Sequence, residues 1–146
     1  MLMYAGSIAR TNSFALPLGD AKTAMIDARD VGEVAAAVLT TEGHAGQAYR
    51  LTGPELIDFH EVAARMSAVL ERPLSYVAQS PEAFREVLGQ FIQSPWQLDA
   101  VCELFAEIAA GSLEEQTSTT EQLLGRPAMS LDTFTQQFAS AFAPAS

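Results

Sequence analysis

Asp27, Arg29 and Asp30 place two carboxylates and a guanidinium within four positions, a grouping that could act as an acid/base pair. The structural reading is the stronger one. Asp30 stands where a helix cap belongs, with Glu33 three residues on, so its carboxylate should accept from first-turn amides while Glu33 reaches back to the cap. Arg29 then neutralises the neighbouring carboxylates. His44 lies in a glycine-flanked loop and His60 beside Glu61. Neither has a second histidine at H-x-x-x-H spacing, so no metal site is expected. Ser7, Ser13 and Ser67 lack a G-x-S-x-G context, which argues against a hydrolase nucleophile. Cys102 is the single cysteine. It cannot make an internal disulfide, and a small apolar residue packed in a helix is its expected role.

The elements that must position these residues follow from periodicity and turn chemistry. Thr23 to Asp27 reads as a strand running into a helix whose buried face is Val31, Val34, Ala35, Val38 and Leu39. Met1 to Ile8 reads as a helix already under way without a cap, the pattern of a longer chain entered part-way. Phe14 to Leu18 is extended, and Pro17 confines it to an edge or strand end. Gln47 to Thr52 alternates as a strand and ends at Gly53-Pro54. Asp58 and Glu61 repeat the capping-box spacing ahead of Phe59, Val62, Ala63, Met66 and Leu70, and Leu74 to Ala78 is a further strand.

From Ser80 onward the pattern is helical. Ser80-Pro81 and Ser94-Pro95 each pair a capping serine with proline at the first helical position. Gly111 is placed as a helix stop, Thr119 as the cap of a single turn ending at Gly125, and Ser130 as the start of a last helix with Phe134, Phe138 and Phe142 inward. These elements predict one α+β domain over 1–146, helix-rich, with a small sheet of three or four short strands. Residues 1–79 mix strands and helices, and 80–146 form a helical subdomain.

The 146 residues carry eight Lys and Arg against eighteen Asp and Glu, a net charge of −10. That balance lacks the clustered cations a nucleic-acid partner requires. The apolar share of 49% contains no run of membrane-spanning length and no basic leader, so a cytoplasmic protein without membrane association is expected.

The succession Leu16-Pro17-Leu18-Gly19-Asp20, Asp27-Ala28-Arg29-Asp30-Val31 and Tyr49-Arg50-Leu51-Thr52-Gly53-Pro54-Glu55 resembles the C-terminal half of NmrA-like proteins. These are atypical members of the short-chain dehydrogenase/reductase superfamily. Gly125-Arg126-Pro127, followed by Phe134, resembles the way such chains end. The G-x-x-G-x-x-G dinucleotide fingerprint of that family is absent from this sequence, and no Tyr-x-x-x-Lys couple occurs.

The resemblance therefore implies the substrate-side half of the fold. Such a module would neither catalyse nor bind NAD(P) by itself, and would associate with a second copy or a nucleotide-binding chain that covers its open sheet edge. Two alternatives stand beside it. One is the substrate-side part of an NAD(P)H-dependent reductase acting on quinone-like or aromatic compounds, its cofactor held by a separate half. The other is a small-ligand-binding regulatory or redox-sensing module. In the family the helices carrying Phe84, Phe91, Trp96 and Phe105 roof the substrate cleft. Together with Tyr4 and Phe14 these are the candidate lining of an apolar or aromatic pocket, although core packing produces the same spacing.

Overall fold

The computed structural model describes residues 1–144. A short 3-10 turn, Leu2–Tyr4, leads into α1 (Ala5–Thr11), which ends on left-handed Asn12 and turns into β1 (Ser13–Leu16). Next come α2 (Ala28–Thr40), α3 (Phe59–Val69) and β2 (Ser75–Ala78). The remainder is helical: α4 (Pro81–Gly89), α5 (Pro95–Ala109), α6 (Thr119–Leu124), α7 (Leu131–Gln137) and α8 (Ala139–Phe142).

β1 and β2 pair in parallel, Ser13 opposite Ser75 and Leu16 opposite Ala78, joined by a crossover that contains α2 and α3. Phe14, Leu16 and Tyr76 point from this pair into a core completed by Ile8, Phe59, Val62, Met66, Phe84 and Phe142. Phe14 is fully buried between the rings of Tyr4, Phe59 and Tyr76. Burial of such a ring contributes roughly 2–3 kcal/mol. Tyr76 satisfies its hydroxyl by donating to the Leu16 carbonyl at 3.0 Å. Arg72 ties the two ends of the core together, donating to Asn12 Oδ1 at 2.6 Å and to the Phe142 carbonyl.

The helix-rich α+β architecture and the small sheet agree with the pattern in the sequence, but among the described residues the sheet has two strands instead of three or four. Thr23 makes only an isolated antiparallel bridge to Ile57. The alternating segment 47–52 is irregular, because its polar groups find side-chain and loop partners. Thr52 Oγ1 accepts from the Thr117 amide at 2.9 Å, and its carbonyl accepts from Thr120 Oγ1 at 2.8 Å. Gly53 explains the close approach that replaces strand pairing. Its amide donates to the Ala24 carbonyl at 2.9 Å, and a β-carbon there would lie 1.8 Å from the Met25 carbonyl oxygen.

The helical faces are less buried than their periodicity suggests. On α2 only Asp30 and Val34 are buried, and Leu39 is 84% exposed. The helix packs through α6, and Leu39 and Thr40 at its far end are exposed.

Candidate functional site

Asp27, in an extended conformation, caps α2: its Oδ1 accepts from the Arg29 amide at 2.8 Å. This corrects the expectation of an Asp30–Glu33 capping box. The same carboxylate receives the Arg29 guanidinium in a two-pronged pair, Nε to Oδ1 at 2.9 Å and Nη2 to Oδ2 at 2.8 Å. Arg29 Nη1 donates to Gln137 Oε1 at 2.7 Å, Nη2 lies 2.8 Å from Met129 Sδ, and the guanidinium sits 5.0 Å from the centre of the Phe138 ring. The hydrogen bond from Arg29 holds the Asp27 carboxyl below its usual range, against the opposing effect of burial. Asp27 in turn raises the Arg29 value. Both groups therefore keep their charges at neutral pH. They form a fixed ion pair instead of a proton-transfer couple.

Asp30 lies in the first turn, fully buried, and faces the other way. Its Oδ1 accepts from Arg126 Nη2 at 2.8 Å and its Oδ2 from the Met129 amide at 2.7 Å, while Arg126 also bonds Glu33. The two residues expected to cap α2 thus fasten it to the segment before α7. A second brace is Arg65 on α3, which joins Glu55 at 2.7 Å and Asp132 at 2.9 Å. Those two carboxylates, Glu55 foremost, keep Arg65 firmly protonated.

Between the braces opens a cavity of about 570 Å³. Its wall is largely apolar: Met1, Leu2, Met3, Met25, Ile26, Ala28, Pro54, Ile57, Met129, Leu131, Phe134 and Phe138. Asp27, Arg29, Glu55 and Ser130 supply its polar side chains. Ser130 also caps α7 by accepting from the Thr133 amide at 3.2 Å. A mainly apolar cleft with a few fixed polar groups is the usual form of a small-molecule site.

None of the six aromatic residues selected from the sequence lines this cavity. Phe14 and Phe84 are core, Tyr4 packs beside Phe14, and Phe105 lies against Phe84 with ring centres 4.6 Å apart. Phe91 and Trp96 project from the α4–α5 turn, 76% and 79% exposed. The wall is instead built from methionines and the α7 phenylalanines. Asp27, Arg29, Pro54, Glu55 and Phe134 all lie within the quoted motifs, so their convergence was the signal available in the sequence.

Of the other caps, Asp58 accepts from the Glu61 amide at 2.8 Å, Ser80 from Ala83 at 3.2 Å and Ser94 from Gln97 at 3.4 Å. Ser118 precedes α6, and Thr119 lies inside it. His44 bonds Thr41 and Tyr49 on the surface, His60 packs edge-on against Tyr76, and Cys102 is partly buried on α5. Among the described residues no three His, Cys, Asp or Glu side chains gather in a metal-binding cluster. No helix among them is long and apolar enough to cross a membrane.

Among the described residues neither strand of the sheet runs into a glycine-rich helix start. β2 leads into α4 through Ser80 and Pro81, where the serine hydroxyl already takes a first-turn amide and proline removes another donor. β1 leads to Pro17 and a turn, with no glycine-rich helix start.

No protein-family model matches the chain. It is 38% identical over 145 residues to an NAD(P)H azoreductase of Xenophilus azovorans, covering 99% of this chain and 51% of that protein. It is also 38% identical over 130 residues to a (4-alkanoyl-5-oxo-2,5-dihydrofuran-3-yl)methyl phosphate reductase of Streptomyces griseus, covering 86% of this chain and 44% of that one. Among solved structures, an NADPH-dependent quinone oxidoreductase from Escherichia coli complexed with NADPH shares the fold with a TM-score of 0.83 at 22% identity, over 94% of this chain and 49% of the other. A Citrobacter triphenylmethane reductase complexed with NADP(H) gives 0.79 at 19% identity, over 93% and 47%. The chain spans about half the length of the curated relatives it matches, and its fold is that of the C-terminal part of NAD(P)-binding reductases, in line with the resemblance to NmrA-like proteins.

Proposed function

We propose that this chain is the substrate-side part of an NAD(P)H-dependent reductase, and that the cavity between α2, the 53–57 segment and α7 holds an aromatic or quinone-like substrate. The observation that carries the reading is the cavity itself: an apolar chamber walled by Met25, Ile57, Leu131 and Phe134, with an ion pair fixed at its edge. The 38% identity to an azoreductase along almost the whole chain supports it. The chain's residues bind and orient the ring and exclude water from it. Nicotinamide chemistry comes from a nucleotide-binding part outside the residues described, in the same protein or in another chain.

A naphthoquinone or azo dye titrated into protein carrying 13C-methyl methionine tests this. Saturable shifts are expected at Met25 and Met129, with the core residue Met66 unmoved. No saturable shift, or shifts confined to α4 and α5, would overturn the reading. NADPH oxidation by this chain without any other protein would overturn the assignment of the cofactor site elsewhere.

Either occupant of the open face, a nucleotide-binding part or a second copy, would meet β1 and β2, which no third strand among the described residues covers. Light scattering with and without NADPH separates the two. A dimer indifferent to NADPH supports the second copy. A monomer supports a distinct nucleotide-binding partner.

A further inference from the structure

Among the described residues Arg29 is the one Lys or Arg side chain in the cavity wall. Each of its three guanidinium nitrogens already has a partner along the edge of the group: Nε and Nη2 bond the two oxygens of Asp27, and Nη1 bonds Gln137 Oε1. Two parallel bonds to one carboxylate fix both the position and the tilt of a guanidinium, because the donors and acceptors of such a fork share a plane. Asp27 is itself held in place, since its Oδ1 also takes the Arg29 amide and its side chain is nearly buried. One face of the guanidinium is backed by the Phe138 ring, whose centre lies 5.0 Å away. Yet 45% of the Arg29 side chain remains exposed. With the edges bonded and one face backed, the second face is what the group has left to offer. The faces of a guanidinium are weakly hydrated and stack on aromatic planes, a contact for which a tetrahedral ammonium has no flat surface.

We propose, resting on the reading of the cavity as a substrate site, that this second face of Arg29 is the platform on which the substrate lies: a flat conjugated ring, parallel to the guanidinium, with Phe138 as the layer behind. Selection is then for planarity. A puckered, saturated ring of the same size fills the apolar volume and leaves the platform unused.

Two ligands with one carbon skeleton test this on the whole chain: naphthol, flat and aromatic, and decalol, its puckered saturated counterpart. The Arg29 Nε–H, bonded to Asp27, is the reporter in proton–nitrogen NMR. Saturating naphthol should move it upfield, the direction for a proton above a ring face. The Arg65 Nε–H, bonded to Asp132 on a side chain that is not part of the wall, should move far less. By calorimetry, the preference for naphthol over decalol should fall about fivefold in Arg29→Lys, which keeps the charge and removes the plane. An Arg29 Nε–H that stays still, or moves downfield as it would beside a ring edge, while the Met25 and Met129 methyls shift would overturn the stack and leave the aromatic site standing. So would an equal preference in the parent and in Arg29→Lys. No shift at Arg29 or at either methionine would overturn both. The spectroscopic readout is made on the parent chain and decides the matter even if Arg29→Lys does not fold.

Discussion

The start of α2 and the tip of the α4–α5 hairpin both present side chains that a ligand could meet, and they are built in opposite ways. At α2, Asp27, Arg29 and Asp30 reach to Arg126, Met129 and Gln137, roughly a hundred positions along the chain. The α2 side of the cavity is thereby pinned to the segment before α7 by paired charges and a buried amide. At the hairpin, the ion pair Arg85–Asp99 and the rings of Phe84 and Phe105 join two neighbouring helices, while Phe91 and Trp96 stand in solvent. Aromatic side chains are plentiful at the hairpin, but none of them lines the cavity described above. The chamber forms where long-range polar braces hold apolar walls apart.

The strongest way to break this contrast is Gly53→Ala. The new methyl carbon would fall 1.8 Å from the Met25 carbonyl oxygen, a backbone atom that can yield only by moving the segment that forms the wall. We expect a loss of about 3 kcal/mol in urea unfolding. Aromatic binding should be lost with it under conditions where the fold persists. A variant as stable as the parent would show that 24–25 and 53 are not in close contact.

Next in size is Asp30→Ala, which leaves the Met129 amide without its acceptor at a fully buried position and leaves Arg126 Nη2 with Glu33 alone. About 2 kcal/mol is expected, with α2 loosened from the segment before α7. Arg126→Lys should be milder than Asp30→Ala, because a single nitrogen, Nη2, bonds both Asp30 and Glu33, an arrangement that an ammonium can reproduce.

How legible these regions are in the sequence follows from the range of the interactions. The bonds at Asp58, Ser80, Ser94 and Ser130 run from a side chain to an amide three residues on, so a local pattern contains them. Asp27 and Asp30 both had cap chemistry, and the choice between them was made by Arg126 and Met129, which no local window includes. The alternation of 47–52 looked like a strand because its hydrogen-bond partners, Thr117 and Thr120, belong to a distant loop and helix. The family resemblance pointed to the aromatic residues of the hairpin helices as a cleft roof. The cavity drew its wall from Met25 and Met129, whose side chains carry no positional signal of their own. Only the order of motifs brought Asp27, Arg29, Glu55 and Phe134 into one frame.

A pH titration sharpens the same contrast with a smaller effect. Asp27 is only 6% exposed and its folded-state pKa is depressed, chiefly by the hydrogen bond from Arg29. Its contribution to stability is therefore fully present above the ordinary value of 3.8 and is lost as pH falls through the lower folded value. Urea unfolding between pH 5 and pH 2 should show this acid-side loss in the parent. In Asp27→Asn that component should be missing, because the amide has no charge to lose. Equal acid sensitivity in both proteins would mean that the pair is not formed in solution.

The hairpin should give the smallest response. Phe91 and Trp96 lie outside the core and outside the cavity wall, so Phe91→Ser and Trp96→Ser remove exposed rings and leave no void. Each should change stability by no more than about 0.5 kcal/mol. Neither should shift the midpoint for an aromatic ligand followed at the Met25 and Met129 methyls. If the site instead lay under the hairpin, the Trp96 change would weaken binding while the Met25 wall stayed silent. That single pair of readouts assigns the ligand to one region or the other, because the two share no side chain.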